Sequence, residues 1–377
     1  MEHLFIVNPA AGKKKALHMA EYIKERFENT SLNWRIVTTW NPGHATVLAR
    51  EAVANQPDIH IYSVGGDGTL NEIINGIAGT NAPLGIIPCG SGNDAIRSIT
   101  SVKDPVLLLE SLIDARIEKT DLGKLNDKWF LNIASVGFDA EVVRLTTRFK
   151  NLPLVSGSMA YILGVLSALI KNKTYPISIC IDDGEPINTT LLLAAFANGK
   201  FYGGGMQPAP NANLQDGHLD SCIVQPLTRR KILNFFPLFT KGKHGSLKEV
   251  ELSTFKKIHI EMQNVFPLQL VAESVGSNSN KEIRIRPKLS SEFIDSTILD
   301  GDVHSDENLK NMLNNIKESD KELVNTTKHD LHSDMKLTTS MKLSNELLLP
   351  INIDGELMFT KTIDVSIHPG ALMLKYP

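Results

Sequence analysis

The first third of the chain alternates short apolar runs with segments of helical spacing. The apolar runs at residues 3–7, 35–39, 59–64 and 84–87 predict strands, and the spacing at residues 13–27, 44–54 and 70–77 predicts helices. Because strands that alternate with helices are typical of a parallel sheet covered by helices, we expect an α/β domain over residues 1–120.

Beyond residue 119 the pattern changes to many short strand-like runs, with turn signals such as Asp216-Gly217 between several of them. Strands are predicted at residues 129–134, 177–181, 191–198, 219–224, 257–261, 349–354, 362–368 and 371–375, and helices at residues 159–171 and 229–241. Short strands joined by turns are typical of antiparallel β structure. We therefore expect a mainly antiparallel β second domain over residues 121–377.

Residues 274–348 form a polar stretch inside this second domain, with Phe293 as its only aromatic residue. Such a segment buries too little apolar area to offset the entropy of ordering, so we expect a flexible insertion. Apolar residues at helical spacing predict one amphipathic helix within residues 306–325. We favour a solvated excursion; contact of this helix with a membrane or a partner is the alternative.

The composition is that of a globular protein, with 42% hydrophobic and 21% charged residues. Lys and Arg number 39 and Asp and Glu number 42, so the net charge of −3 gives no global electrostatic case for a nucleic-acid partner. Cysteines 89, 180 and 222 are odd in number and widely spaced, which excludes a disulfide scaffold and fits a reducing cytosol.

The chain opens without a basic region followed by an apolar run, and it contains no stretch of 18 or more apolar residues. We therefore expect no signal peptide and no transmembrane segment. The protein is expected to be soluble, or at most peripheral on a membrane.

The strongest chemical signal is Gly65-Gly66-Asp67-Gly68, where a predicted strand ends and a helix begins. Glycines let backbone N–H groups approach a phosphate closely, and the helix N-terminus adds partial positive charge. Asp67 would repel phosphate unless a cation lies between them, so the loop suggests a Mg²⁺-dependent nucleotide site. The alternative is a glycine turn in which Asp67 caps the helix.

Two further loops of small residues follow predicted strands, at residues 8–13 (Asn-Pro-Ala-Ala-Gly-Lys) and 90–94 (Gly-Ser-Gly-Asn-Asp). Neither has the spacing of a Walker A loop, and the first taken alone reads as an ordinary strand-to-helix connection. Ligands of open α/β sheets bind at the carboxyl ends of the strands. Three such loops at one edge therefore favour a shared anion site.

Taken in order, these loops resemble the diacylglycerol kinase catalytic-domain family of soluble bacterial lipid kinases, sphingosine kinases and ceramide kinase. The resemblance also includes the Pro-Asn-Ala…Asp-Gly segment at residues 210–217 and Asp-Gly-Glu at 354–356, and it covers roughly residues 1–270 and 349–377. It implies the NAD-kinase/diacylglycerol-kinase-like fold, with ATP between the two domains. Ser91 stands where the family carries Thr, which keeps the hydroxyl group.

The resemblance also implies roles for individual residues. The family's nucleotide-contacting positions correspond to Asn8, Pro9, Ala10, Ala11, Gly12, Lys13, Thr39, Gly66, Asp67, Gly68, Thr69, Leu70, Asn71, Glu72, Ser91 and Asp94. Its acidic phosphate–Mg²⁺ network corresponds to Asp67, Asp94 and Asp121. A structural Mg²⁺ site, held by one carboxylate and backbone carbonyls without need of the imidazole, corresponds to Asn213, Asp216 and His218.

Glu356 matches the residue that the family uses as proton acceptor, and Asp354 lies beside it. Phosphoryl transfer to an alcohol needs a carboxylate near the hydroxyl group, so an Asp-Gly-Glu loop suits that chemistry. The residues alone favour an exposed hairpin turn, since Asp-Gly is a common turn dipeptide. Whether Glu356, Asp354 or Asp67 acts as the base stays open.

The expected function is an ATP- and Mg²⁺-dependent lipid kinase that is cytoplasmic and works peripherally at the inner face of the membrane. Its partner would be a lipid substrate such as diacylglycerol, with no nucleic acid, and a homodimer is left open. Residues 159–170 are expected to be mostly core, the alternative being a wall of an acyl-chain cleft. Alternative functions are an NAD kinase or a non-catalytic nucleotide-binding regulatory protein of the same fold.

Overall fold

The computed structural model describes residues 1–150, 163–165, 167–168, 171–263, 269–275, 282–288 and 348–377. The elements of the first part are β1 Glu2–Val7, α1 Lys15–Phe27, β2 Asn33–Thr38, α2 His44–Asn55, β3 His60–Gly65, α3 Asp67–Ile77, β4 Pro83–Pro88, α4 Asp94–Arg97 and α5 Pro105–Ile113.

The elements of the second part are β5 Arg116–Leu125, β6 Lys128–Phe130, β7 Ile133–Gly137, α6 Phe138–Lys150, β8 Tyr175–Ile181, β9 Ile187–Leu191, β10 Leu193–Ala197, β11 Leu219–Val224, α7 Arg229–Thr240, β12 Val250–Phe255, β13 Lys257–Met262, β14 Gln269–Val275, β15 Glu282–Lys288, β16 Leu349–Ile353, β17 Glu356–Thr360 and β18 Thr362–Tyr376. A short 3₁₀ turn, His244–Ser246, lies between α7 and β12.

The N-terminal sheet has the order β2-β1-β3-β4 with parallel pairing throughout. Strands β3 and β4 are buried at every position because helices cover the sheet. Helix α1 shows how the sequence achieves this, since Ala16, Met19, Ile23 and Phe27 are buried at the spacing of one helix face. The predicted α/β domain is confirmed.

A β-sandwich forms the second part. One sheet has the antiparallel order β12-β11-β10-β7-β16-β17. It packs on the β5, β8, β13 and β18 region of the first sheet through a buried apolar cluster that includes Phe130, Phe196 and Phe255. The predicted antiparallel β domain is therefore confirmed.

The last strand joins the two parts. The beginning of β18 pairs with β13 in antiparallel fashion, and near its end Met373 and Leu374 pair with β4 in parallel. Between His368 and Leu372 the register shifts in a β-bulge. Two strands predicted at residues 362–368 and 371–375 are thus one strand, and the division near residue 120 stays a prediction.

Several predicted elements differ in their bounds. The single strand predicted at residues 129–134 is two strands, β6 and β7, because Leu131 and Asn132 lie outside the ladders. The sequence analysis also missed α5, β5, α6, β12 and β17. Of the predicted helix at 159–171, residues 163–165, 167–168 and 171 are helical, and the rest lies outside the described residues.

Residues 264–346 form a separate contact unit. Its described strands, β14 and β15, pair in antiparallel fashion as a two-stranded sheet. β15 falls inside the stretch that the composition predicts to be an unstructured insertion. The amphipathic helix predicted within residues 306–325 lies outside the described residues.

Within the ranges that the structure covers, no helix is both long enough and apolar enough to cross a membrane.

Candidate functional site

Asn8 connects the loop after β1 to the loop after β3. Its backbone N–H donates to the carbonyl of Val64 at 3.0 Å, and its Nδ2 donates to Thr69 Oγ1 at 2.9 Å. Its Oδ1 accepts the N–H of Ala10 at 3.0 Å. One amide therefore sets the positions of two loops that are far apart in the sequence.

Glycine allows these loops to touch through their backbones. A Cβ on Gly12, which has a left-handed φ of +61°, would lie 1.8 Å from the carbonyl oxygen of Cys89. A Cβ on Gly90 would lie 2.5 Å from the Cα of Gly66. The three loops predicted at the carboxyl edge of the sheet therefore meet in close contact.

Two carboxylates lie together at this edge. Asp67 Oδ1 accepts the N–H groups of Asp94 at 2.9 Å and Ala95 at 3.3 Å. Asp94 is buried, and its Oδ1 has no hydrogen-bond partner among the described residues, although Arg97 Nε lies 3.4 Å away. Burial raises the pKa of Asp94, and the charge of Asp67 raises it further. A cation at this place would be stabilised by both carboxylates.

A fourth loop, also built on glycine, completes this edge and was missed by sequence reasoning. Gly203, Gly204 and Gly205 are consecutive residues with φ of 59°, 88° and 113°, and the N–H of Gly204 donates to Asp94 Oδ2 at 2.7 Å. The signal in the sequence was the Gly-Gly-Gly run itself, because consecutive left-handed positions favour glycine.

The hairpin between β16 and β17 brings Asp354 to helix α3. Its carboxylate accepts the N–H of Ile133 at 2.9 Å, the N–H of Leu131 at 3.3 Å and Asn71 Nδ2 at 3.2 Å. Burial raises the pKa of Asp354 to about 6, with a contribution from the charge of Asp67. Since Asn71 is one helical turn after Asp67, the hairpin tip lies beside the first acidic loop.

The hairpin interpretation of the Asp-Gly dipeptide is confirmed as local structure. Asp354 and Gly355 have φ of 46° and 100°, and Ile353 pairs with Glu356 across the turn, as in a type I′ turn. Glu356 is exposed at the start of β17. The two acids thus differ, because Asp354 is held by hydrogen bonds and Glu356 faces solvent.

The remaining predicted nucleotide positions fall into two groups. Pro9, Ala10, Ala11, Lys13, Gly68 and Ser91 are partly or fully exposed on the loops. Thr39, Thr69 and Leu70 are buried. Glu72 has a different task, since its Oε2 accepts the N–H of Ala45 at 3.0 Å and so caps helix α2. That carboxylate joins α2 to α3.

The loop predicted to hold a structural Mg²⁺ is anchored on Asp121. The Asp121 carboxylate accepts the N–H groups of Gly217 at 2.7 Å and Gly370 at 2.8 Å. Asp216 Oδ1 accepts the N–H of His218 at 3.0 Å, and the His218 Nδ1–H donates to the Asp216 carbonyl at 2.9 Å. Asn213 Oδ1 likewise accepts the N–H of Gln215 at 3.2 Å.

These contacts organise a turn. In the part of the chain that the structure describes, no group of three or more His, Cys, Asp or Glu side chains could hold a metal ion. An ion in the loop would therefore depend on the Asp216 carboxylate and backbone carbonyls.

An open apolar cleft lies between α6, α7 and the second sheet. Its apolar walls include Phe138, Val142, Leu192, Ile232, Phe235 and Phe239. Its polar lining includes Asn352 and Asp139, whose carboxylate accepts a hydrogen bond from Ser135 Oγ. Burial raises the pKa of Asp139 to about 6.

The cleft and the acidic loops share two segments. Gly203 lines the cleft, and the next residue, Gly204, binds Asp94. Asn352 also lines the cleft, two residues before Asp354 in the hairpin. An amphiphilic molecule with its apolar tail in the cleft can therefore place its polar end near these two segments.

The sequence matches two family descriptions. Residues 2–125 match the diacylglycerol kinase catalytic domain, and residues 132–289 match the YegS C-terminal NAD kinase beta sandwich-like domain. The chain is 33% identical to a diacylglycerol kinase of Mycobacterium tuberculosis (strain H37Rv) over 266 residues, which cover 69% of this chain and 85% of that relative. It is 31% identical over 267 residues to a YegS-like lipid kinase of Chromohalobacter salexigens, covering 70% and 84%.

Solved structures show the same fold at lower sequence identity. A crystal structure described as a diacylglycerol kinase from Bacillus anthracis str. Sterne has a TM-score of 0.56 and 18% identity. It covers 100% of this chain and 97% of that chain. A second structure from the same organism has a TM-score of 0.61 and 19% identity, with the same coverage.

Proposed function

Because this chain belongs to the diacylglycerol kinase catalytic-domain family of lipid kinases, we propose that it transfers the γ-phosphoryl group of ATP, with Mg²⁺, to the hydroxyl group of a diacylglycerol-like lipid. The observation that carries this proposal is the junction of an acidic, glycine-lined loop edge with an apolar cleft through Gly203–Gly204 and Asn352–Asp354. The identity of the lipid that accepts the phosphoryl group is the most specific part of the proposal, since apolar pockets discriminate weakly between lipid tails.

The loops after β1, β3 and β4 bind the phosphates of ATP. Their glycines bring backbone N–H groups within reach of phosphate oxygens, and the N-terminus of α3 adds a partial positive charge. Lys13, exposed at the end of the first loop, supplies a full positive charge. These donors fix the nucleotide and aim its γ-phosphate at the hairpin side of the site.

Asp67 and Asp94 suit Mg²⁺. Magnesium is commonly held by one or two carboxylates together with substrate phosphates and water. A buried Asp94 oxygen that has no hydrogen-bond partner among the described residues and the adjacent Asp67 carboxylate provide such a pair. The bound ion would neutralise the charge that develops on the phosphoryl oxygens. In the same way we propose that Asp216 and carbonyls of the 213–218 loop hold a structural ion against Asp121.

The Asp-Gly-Glu hairpin receives the proton of the lipid hydroxyl. We assign that role to Glu356, because it is exposed and leaves its carboxylate available, whereas the Asp354 carboxylate accepts hydrogen bonds from α3 and the β6–β7 connection. The hydroxyl oxygen bonds to the γ-phosphorus as the bond from that phosphorus to the bridging oxygen of ADP breaks. Asp354 orients the hairpin. The chain itself supplies mainly positioning and a proton acceptor, as loose phosphoryl-transfer transition states require.

The apolar cleft receives the lipid tail. Burying apolar surface there stabilises the complex by about 25 cal/mol per Å². A substrate of this kind lies in a membrane, so we propose that the protein works in the cytoplasm as a peripheral enzyme at the inner face of the membrane.

The direct test is product analysis. The protein is incubated with Mg²⁺ and ATP labelled in the γ-position, and with dispersed diacylglycerol, phosphatidylglycerol, a sphingoid base or NAD as acceptor. We expect labelled phosphatidate and a much lower rate with NAD. Label in NADP but in none of the lipids would refute the proposal, as would hydrolysis of ATP without a labelled acceptor.

A further inference from the structure

The segment around helix α7 in the second part has a one-sided charge pattern. Between residues 226 and 248 there are six Lys or Arg residues and no Asp or Glu, although the whole chain has a net charge of −3. The cations lie at both ends of helix α7, at Arg229, Arg230, Lys231, Lys241, Lys243 and Lys248.

Helix α7 has two different faces. Ile232, Phe235 and Phe239 are buried and form a wall of the apolar cleft. The opposite stripe carries Arg230 and Leu233, which is 60% exposed, and continues at helical spacing through exposed residues to Lys241 just beyond the helix. The outward face thus combines cations with an exposed apolar side chain.

The placement of the cations opposes the stability of the helix. Arg229, Arg230 and Lys231 occupy the first turn of α7, where the helix dipole disfavours positive charge. Glu249 forms an ion pair with Lys231. An anionic surface facing the helix would offset the remaining unfavourable interaction.

We propose that the outward face of α7 with its flanking cations is the surface by which the protein docks on a membrane that contains anionic lipids. Lipid headgroups of negative charge complement the six cations, and Leu233 enters the interface between headgroups and acyl chains. The inner face of the same helix lines the cleft, so docking places a bilayer next to the wall against which the lipid tail would pack. This inference rests on the proposed function, because docking on the membrane would bring the lipid substrate to the proposed site.

Vesicle sedimentation tests the docking surface without any catalytic step. Wild type is compared with Arg230→Gln/Lys241→Gln and with the matched control Lys24→Gln/Arg50→Gln, which removes two exposed cations from α1 and α2 and gives the same net charge. Vesicles are pure phosphatidylcholine or contain one part phosphatidylglycerol to three parts phosphatidylcholine, at 50 and 500 mM NaCl.

We expect wild type to bind the phosphatidylglycerol vesicles at 50 mM NaCl. Binding should be weak to the same vesicles at 500 mM NaCl and to pure phosphatidylcholine vesicles at either salt concentration. The α7 double variant loses roughly 30-fold in affinity, since each interfacial cation contributes about 1 kcal/mol and 1.4 kcal/mol is tenfold. The control changes less than threefold. Leu233→Ser loses roughly fivefold, because part of a leucine side chain no longer leaves water.

Equal binding of the α7 double variant and the control would overturn the docking surface, and so would equal binding of wild type to neutral vesicles. Tighter binding to a fluorescent DNA duplex than to the anionic vesicles would assign the cations to a nucleic acid instead. That result would also overturn the proposed membrane-docking surface.

A second assay separates this inference from the proposed function. Kinase activity is measured on diacylglycerol in nonionic detergent micelles, which present no charged surface. We expect the α7 double variant to keep the wild-type rate there and to lose rate on anionic vesicles. A loss on both would show that α7 acts within the folded site and would overturn the docking role. If wild type binds vesicles as expected but phosphorylates none of the lipids, the kinase proposal is refuted. The docking surface is then still supported by the binding data.

Discussion

Replacing Asp67 tests the site most sharply, because its two oxygens have different tasks. Oδ1 accepts the N–H groups of Asp94 and Ala95, and in the proposed function the carboxylate also faces Mg²⁺. Asp67→Asn keeps an oxygen that can accept both N–H groups and removes only the charge. Asp67→Ala removes both. The two variants therefore separate the structural contribution of the side chain from its chemical one.

The structure gives the magnitudes. A hydrogen bond to a charged group contributes about 1.5–3 kcal/mol, and since one of the two distances is long, 3.3 Å, we expect Asp67→Ala to lose about 2–4 kcal/mol of unfolding free energy. Asp67→Asn should stay within about 1 kcal/mol of wild type. Turnover should fall by about a thousandfold or more in both, which corresponds to about 4 kcal/mol of transition-state stabilisation.

The sign of the pH dependence provides an independent check. The charge of Asp67 contributes to the raised pKa values of Asp94 and Asp354. When the pKa of a carboxyl group is higher in the folded state than in the unfolded state, the protein loses unfolding free energy as the pH rises between the two values. For Asp354 these are about 4 in the unfolded state and about 6 in the folded state. Asp67→Asn weakens this loss, so its stability relative to wild type should be better at pH 7 than at pH 4.

The assays are urea unfolding at pH 4 and pH 7 and labelled-phosphate transfer at pH 7.5. Retention of activity within tenfold of wild type by a folded Asp67→Asn would refute the role given to this carboxylate. Destabilisation of Asp67→Asn as large as that of Asp67→Ala would refute the separation of the two tasks.

Three further predictions follow from single contacts. Asn71→Ala removes a hydrogen bond that lowers the pKa of Asp354, so we expect that pKa to rise and the variant to lose more unfolding free energy than wild type between pH 4 and pH 7; an unchanged pH dependence of urea unfolding would contradict the contact. Gly12→Ala should cost about 3 kcal/mol or more in chemical denaturation because its Cβ would overlap a backbone carbonyl, whereas the control Gly43→Ala, at a similar φ with open space around it, should cost about 1 kcal/mol; equal costs would contradict the close loop contact. Burial raises the pKa of Asp220 to about 6, so Asp220→Asn should raise the melting temperature at pH 7 and have no such effect at pH 4, since the wild-type carboxyl is protonated in the folded state there; a gain at both pH values would rule out the ionisation argument.

Local patterns in the sequence predicted most of the elements. The apolar period of α1 and the largely apolar runs of β3 and β4 were sufficient, because burial of one helix face or of both strand faces leaves a direct trace in residue order. The same holds for the type I′ turn at Asp354-Gly355. The conformational preferences of single residues determine such features.

Some features had weak local signals. β18 reads as two strands because Pro369 and Gly370 interrupt the pattern, yet pairing with β5 carries the strand across a bulge. The run of three glycines at 203–205 was visible, but nothing near it in the sequence pointed to Asp94 as the acceptor of its N–H group.

Residue order was enough to predict glycine-rich loops at the carboxyl ends of parallel strands, because strand, turn and helix signals follow one another within about ten residues. Which side chains meet around those loops depends on contacts between distant segments. Asn71 and Asp354 are 283 positions apart, and no local preference links them. Their contact depends on the packing of the second sheet against the first and on the hydrogen bonds that the β6–β7 connection supplies to the hairpin, which are properties of the folded chain as a whole.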